Sequence, residues 1–111
     1  MNPTEFTSKV IDLCVEFDII EDYELEIHEN VVIHCEIYLQ EGFINIYRNF
    51  ETGKIAYAWI KNEERIYGAD NTGGWHLHPY GRSSKHQKTE PVPLKDFLKN
   101  VENILKSKKD M

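Results

Sequence analysis

The sequence predicts an α+β domain: an antiparallel meander of four to five strands, with an N-terminal and a C-terminal helix packed on one face of the sheet. Three observations predict this fold. Apolar residues recur with a helical period near both ends of the chain, they alternate with polar residues in between, and short turns join the alternating segments. A length of 111 residues is enough for one domain, spanning 1–111, with a small core.

The first helix is predicted over residues 3–20. Asn2 is suited to cap it, Pro3 suits its first position, and Glu5 stands three residues after the cap, as in a capping box. The apolar side chains that follow share one helical face: Phe6, Val10, Leu13, Cys14 and Phe17. This face has to pack on another element.

A meander is predicted over residues 23–68, where the apolar period changes to two. The clearest strand has these alternating apolar residues: Val31, Ile33, Cys35, Ile37 and Leu39. Turns of two or three residues separate the strands, which is typical of antiparallel hairpins. The second sheet face is predicted to be polar and aromatic, with Glu24, Glu26, His34, Glu36 and Tyr38.

Residues 70–92 have neither period and are predicted to form a His-rich loop, which in so small a domain is often functional. The closing helix is predicted over residues 93–107. Its apolar stripe comprises Leu94, Phe97, Leu98, Val101, Ile104 and Leu105. We expect both helices to cover the apolar face of the sheet, because two flanking amphipathic helices can bury it together.

The net charge of −6 divides unevenly along the chain. Residues 1–74 carry five basic and 15 acidic side chains, whereas residues 75–111 carry eight basic and four acidic ones. Net acidity argues against a nucleic-acid partner, but binding follows local patches more than net charge. Any contact with RNA or with an acidic partner is therefore expected at residues 75–88, and the acidic meander is expected to be mainly scaffold.

Cys14 and Cys35 make neither a disulfide framework nor a metal motif, and their apolar surroundings predict buried thiols. The chain shows no signal-peptide pattern and no apolar run of the roughly 20 residues that a membrane span needs. We therefore expect a cytoplasmic protein without a membrane partner. No cofactor is expected.

His76 and His78 are two residues apart, so in an extended segment both imidazoles point to the same side. Three interpretations remain open. The pair binds a metal together with His86, Asp70 or His34; or it bonds backbone carbonyls in a loop pinned to the sheet; or it performs acid–base chemistry without a metal. Asp70 either belongs to a plain turn or orients a histidine tautomer.

In the acid–base interpretation, the catalytic candidates are His76, His78 and His86. The substrate-binding candidates are Trp75, Tyr80, Tyr67, Arg82, Lys85 and Asp70. Aromatic rings stack on bases, cations neutralise phosphates, and paired imidazoles are the usual groups for metal-independent RNA cleavage. His34 is expected to be a partly exposed strand residue and His28 a surface residue.

The 65–91 segment also resembles the TumE-type toxin family of toxin–antitoxin pairs. The resemblance rests on Arg65 to Asn71, then Trp75-His76-Leu77-His78-Pro79, then His86, Glu90-Pro91 and a closing amphipathic helix. It implies a growth-inhibiting protein, neutralised by an antitoxin and acting on RNA. The residues also leave open a function without catalysis, as a protein-interaction or homodimerisation module. It would use the large amphipathic residues Tyr38, Tyr47, Tyr57, Trp59 and Tyr67.

Overall fold

The N-terminal helix begins at the predicted cap. In the computed structural model of the protein, which describes residues 1–109, α1 spans Pro3–Glu16, and the Asn2 side chain accepts a hydrogen bond from the Glu5 N–H at 2.8 Å. The helix ends before the predicted boundary at residue 20. Phe17 is already extended, with φ −94° and ψ 114°, and Ile20 begins the sheet, since β-branched residues favour strands.

The sheet has seven antiparallel strands in chain order. They are β1 (Ile20–His28), β2 (Val32–Leu39), β3 (Phe43–Asn49), β4 (Ile55–Lys61), β5 (Glu64–Asp70), β6 (His76–His78) and β7 (Gln87–Lys88). The predicted antiparallel sheet is confirmed, but the predicted number of four to five strands is wrong. β6 and β7 lie within the segment predicted as a loop, and strands of three and two residues are too short to show an alternating period.

Short connections explain why each of the strands β1 to β5 pairs with the next strand in the sequence. Two hairpins turn at two consecutive residues with positive φ, Glu29-Asn30 and Asn62-Glu63, as type I′ turns require. In the β2–β3 turn, Gly42 has φ 78°, and a Cβ atom there would lie 2.1 Å from the Ile60 carbonyl oxygen. Glycine is therefore needed at that turn.

A single hydrophobic core joins both helices to one face of the sheet. α2 spans Leu94–Lys109, and its Phe97 ring lies 5.1 Å from the Tyr57 ring and 5.0 Å from the Tyr67 ring, measured between centroids. The α1 residues Phe6, Val10, Leu13 and Cys14 enter the same core. Cys14 and Cys35 are free and buried, as predicted. Within residues 1–109, no helix is long and apolar enough to cross a membrane.

The second face of the sheet, hereafter the open face, carries the residues between the core positions. One row of residues in register crosses all seven strands: Glu26, His34, Tyr47, Ala56, Asp70, His76 and Lys88. Residues paired in register across a sheet point to the same side. The open face therefore has an acidic edge at β1 and a histidine-containing edge at β6 and β7.

Candidate functional site

Asp70 and His78 form a hydrogen-bonded pair at the ends of two neighbouring strands. Asp70 ends β5, His78 ends β6, and Oδ2 of Asp70 lies 2.7 Å from Nε2 of His78. The His78 side chain is 2% exposed and that of Asp70 21%. The other carboxylate oxygen, Oδ1, accepts the Thr72 N–H at 3.0 Å. Both oxygens of the carboxylate are thus held, and Asp70 orients a histidine.

The environment of Asp70 favours its charged form. Partial burial opposes ionisation, but hydrogen bonds from His78 and from the Thr72 N–H outweigh that effect, so the pKa of Asp70 is below its ordinary value. The ionised carboxylate can only accept a hydrogen bond, so Nε2 of His78 carries the proton, and in the neutral ring this leaves the lone pair on Nδ1. That Nδ1 atom is buried and has no hydrogen-bond partner.

The His86 ring contacts two other imidazoles next to this carboxylate. The His86 ring packs edge-to-face on His78, with centroids 4.6 Å apart, and on His76, with centroids 5.9 Å apart. His86 is exposed, and His76 is half-buried. We call Asp70, His76, His78 and His86 the histidine cluster. The three catalytic candidates of the sequence are therefore brought together, with the half-buried carboxylate of Asp70 at one end.

Contacts across the sheet hold the His86 segment in place. Nη2 of Arg65 donates to the Ser83 carbonyl at 2.9 Å, and the Ser83 hydroxyl donates to the Arg65 carbonyl. Gly68 makes room for this arrangement. A Cβ atom at position 68 would lie 2.9 Å from the Tyr57 carbonyl oxygen, 3.1 Å from Cδ of Arg65 and 3.5 Å from Cδ2 of His78.

Sequence reasoning missed the roles of Arg65 and Gly68. A contact between residues 18 positions apart leaves no local pattern, so Arg65 gives no signal for it. Gly68 does give one, because a glycine inside a strand often marks a close approach of other groups.

Three basic residues belong to β7 and to the segment between β6 and β7 that also contains His86. Lys88 is opposite His76 in the register of β6 and β7, which places it on the open face. Lys88, Arg82 and Lys85 are exposed, and within residues 1–109 none of the three forms an ion pair. Unpaired exposed cations next to imidazoles provide a local positive charge for an anionic ligand.

The three aromatic residues predicted to stack on bases lie on the helix-covered side of the sheet. Tyr67 is 6% exposed, and its hydroxyl accepts a hydrogen bond from the Asn100 side chain at 3.0 Å. Trp75 packs against the Tyr57 ring, 6.2 Å away. Tyr80 stacks on the buried Trp59 ring at 5.8 Å. The structure therefore does not bring Trp75, Tyr67 and Tyr80 to the histidines.

The opposite edge of the open face is acidic. A cavity there is lined by Glu24, Glu26, His28, His34, Glu36 and Asn45. The Tyr38 hydroxyl donates to Glu36 at 2.6 Å and to Glu24 at 3.2 Å. His34 and His28 are exposed at this edge and separate from the histidine cluster. Of the five residues suggested for an interaction surface, only Tyr38 and Tyr47 lie on the open face, because Tyr57, Trp59 and Tyr67 are in the core.

Asn71, directly after the site residue Asp70, anchors the end of β5 to a neighbouring turn. The Asn71 side chain accepts the Ile55 N–H at 2.9 Å and donates to the Gly53 carbonyl at 2.8 Å. Asn71 thereby joins the β3–β4 turn to the end of β5, directly after the carboxylate.

In the part of the chain that the structure describes, residues 1–109, no group of three or more His, Cys, Asp or Glu side chains is arranged to hold a metal ion.

The fold and the histidine cluster together define an α+β domain with a carboxylate–imidazole site at one sheet edge. Comparisons with protein families, with curated proteins and with solved structures find no match to this chain.

Proposed function

We propose that the protein binds RNA along the β6–β7 edge of the open face and cleaves it by acid–base catalysis with His76 and His86. The observation that supports this proposal is the contiguous order of groups. A half-buried carboxylate holds His78, His78 packs against His86, and His86 contacts His76 near exposed basic residues. His86 and His76 keep access to solvent, so a substrate can reach them.

The reaction requires only proton transfers and a substitution at phosphorus. One neutral imidazole removes the proton of the RNA 2′-hydroxyl, and the 2′-oxygen forms a bond to phosphorus. The bond from phosphorus to the 5′-oxygen breaks, and the second imidazole, protonated, gives its proton to that oxygen. The products are a 2′,3′-cyclic phosphate and a 5′-hydroxyl end. Lys88, Arg82 and Lys85 offset the negative charge of the phosphorane.

His78 acts as a positioning residue in this proposal. Its ring is 2% exposed and its Nε2 is committed to Asp70. A buried ring cannot contact the phosphate directly, but it can support the His86 ring that packs on it. The acid–base pair is therefore assigned to His76 and His86, which differ from His78 in their exposure.

The test is cleavage of a fluorescent single-stranded RNA by the purified full chain. We expect His76→Ala and His86→Ala each to lower the rate by roughly 10²–10⁴-fold, the usual contribution of a general acid or base. His34→Ala is the matched control, since it removes an exposed open-face histidine at the far edge. An RNA with a single 2′-deoxy nucleotide at the scissile position should not be cut.

Two results would refute the assignment: cleavage by the His76→Ala/His86→Ala double variant at the rate of the parent, or equal cleavage of the 2′-deoxy substrate. Absence of any cleavage by the parent, across RNAs of all four base compositions, would refute the ribonuclease proposal itself.

The resemblance to the TumE-type toxins extends this proposal to growth inhibition and to an antitoxin partner. Expression of the parent chain should arrest growth of a bacterial host. The His76→Ala/His86→Ala variant should relieve the arrest, while His34→Ala should not. Equal growth arrest by the double variant, at equal protein level, would show that toxicity does not depend on the histidine cluster. Toxicity would then no longer support the proposed function.

A protein-interaction or homodimerisation role is the second candidate function. The observation that favours it is the open face, where Tyr38 and Tyr47 are half-buried and neither helix covers them. Light scattering coupled to size-exclusion chromatography distinguishes the cases. A dimer that Tyr47→Lys dissociates would support this candidate. A monomer at all concentrations would exclude homodimerisation, so that the open face could bind only a different protein.

A further inference from the structure

A second concave site lies on the helix side of the sheet, away from the histidine cluster. It is a cavity of about 290 Å³ between the start of α1 and the start of α2. Its walls are mainly apolar and include Phe6, Ile55, Trp75, Val92 and Leu94. Pockets for drug-sized ligands measure roughly 300–1,000 Å³, so this one is suited to a smaller molecule.

Arg48 brings a positive charge into these apolar walls. Its guanidinium carbon lies 4.7 Å from the centroid of the Phe6 ring and 4.6 Å from that of Phe50. Within residues 1–109, it forms no ion pair, and its one side-chain polar contact is from Nη1 to the Met1 sulfur at 3.7 Å. Arg48 is also half-buried.

Stacking on aromatic rings satisfies the faces of a guanidinium but not the N–H groups at its edge. Those N–H groups match the oxygen pairs of carboxylates and phosphates, and a thioether sulfur is a weak acceptor. Arg48 is thus held in position by Phe6 and Phe50 while most of its donors lack a strong acceptor from the described residues.

Two further groups support an anion at this place. Tyr57 lines the cavity, and burial raises the pKa of its hydroxyl to about 12 despite the opposing effect of the Arg48 charge. The hydroxyl therefore remains a hydrogen-bond donor at neutral pH. Lys9 adds a second positive charge at the exposed rim.

We propose that this cavity, the Arg48 pocket, binds a small organic oxyanion with a flat apolar body. The carboxylate or phosphate group would pair with the Arg48 guanidinium, with the Tyr57 hydroxyl and Lys9 nearby. The apolar body would lie against Trp75 and Val92. This site is independent of the histidine cluster, because Trp75 and Arg48, which is paired in register with the core residue Ile33, lie on the opposite side of the sheet from His76 and Lys88.

The test titrates the full chain with benzoate and with phenyl phosphate at constant ionic strength, by calorimetry and by amide shifts in ¹⁵N-labelled protein. We expect saturable binding of at least one, with the largest shifts at Trp75 and Arg48. Tighter binding of benzoate identifies a carboxylate ligand, and tighter binding of phenyl phosphate identifies a phosphate ester. Benzyl alcohol and inorganic phosphate, which lack the charge or the apolar body, should bind at least roughly tenfold more weakly.

Arg48→Met keeps an unbranched stem on the two phenylalanine rings and removes the charge, so affinity should fall roughly tenfold or more. Lys54→Met is the matched control, since it removes an exposed cation outside the pocket and should leave affinity unchanged. Lys9→Met, at the exposed rim, is expected to weaken binding without affecting folding. It is the variant used to test the proposal if Arg48→Met does not fold.

The proposal is overturned if neither anion saturates, if benzyl alcohol binds as tightly as benzoate, or if the amide shifts map outside the pocket. It is also overturned if folded Arg48→Met keeps the affinity of the parent. Each of these results would assign Arg48 the role of a charged cap on the edge of the core.

Discussion

Asp70 and His78 are joined across β5 and β6 by a 2.7 Å contact between a carboxylate oxygen and Nε2 of an almost fully buried imidazole. This contact links the stability of the sheet edge to the candidate site. A charged hydrogen bond contributes about 1.5–3 kcal/mol, and removal of either partner would leave the other one partly buried without its counterpart.

The first prediction concerns acid. The pKa of Asp70 is lower in the folded chain than its ordinary value, which is near 4. Asp70 therefore stabilises the fold at pH values above that ordinary value. This stabilisation is lost as the pH falls through the pKa of the folded state. Asp70→Asn should therefore be less stable than the parent at pH 6, with the difference shrinking towards pH 3. Urea denaturation from pH 3 to 6 measures it. Asp12→Asn, on α1, is the control, and a difference independent of pH would contradict the prediction.

The second prediction separates the buried histidine from the exposed one. His78→Ala should lower the free energy of unfolding by about 2–4 kcal/mol, since it opens a cavity and strands Asp70. His86→Ala removes an exposed ring and should change it by no more than about 0.5 kcal/mol. Guanidinium denaturation gives both values. Equal effects of the two substitutions would show that His86 supports the fold as much as His78 does.

The third prediction concerns Gly68. In Gly68→Ala, the new methyl group would approach the Tyr57 carbonyl oxygen to 2.9 Å and Cδ of Arg65 to 3.1 Å. We expect a loss of about 1–3 kcal/mol in the free energy of unfolding, as for other overpacked positions, and changed chemical shifts of the His78 ring. Arg65→Ala added to Gly68→Ala should recover part of the loss, because only the side-chain contact is relieved. Unchanged stability in the single variant would mean that the sheet yields locally at no cost.

The fourth prediction concerns the two thiols. Burial raises the pKa of Cys14 to about 11 and that of Cys35 to about 12, with the neighbouring Cys14 thiol adding to the effect at Cys35. Because the thiolate is the reactive form, a disulfide reagent at pH 8 should modify the native chain roughly a hundredfold more slowly than the unfolded chain. Fast modification of the native protein would contradict the buried location of both thiols.

The main lines of the fold follow from local patterns. The alternation from Ile33 to Leu39 and the helical spacing from Phe6 to Cys14 are properties of neighbouring residues, and each predicts the face that the structure places in the core. β6 and β7 were not predicted, because strands of three and two residues owe their existence to pairing with β5 rather than to their own sequence.

The candidate site was predictable only in part. His76 and His78 share the open face because they are two residues apart in a strand, as the spacing indicates. Alternation also requires Trp75 and Tyr67, adjacent to His76 and Gly68, to face the other way, so proximity along the chain was a poor guide to the stacking residues. The position of His86 depends on the contact between Arg65 and Ser83, which no spacing rule encodes.

The acidic edge has a consequence for the behaviour of many chains together. β1 ends the sheet with unpaired backbone groups along one side, and such a strand is a template on which another chain can add. Its exposed Glu21, Asp22, Glu24 and Glu26 would bring like charges face to face in that event. At the other end, β7 has only two residues and offers almost no template. The carboxylates of β1 thus oppose the addition of a second chain at this edge of the sheet.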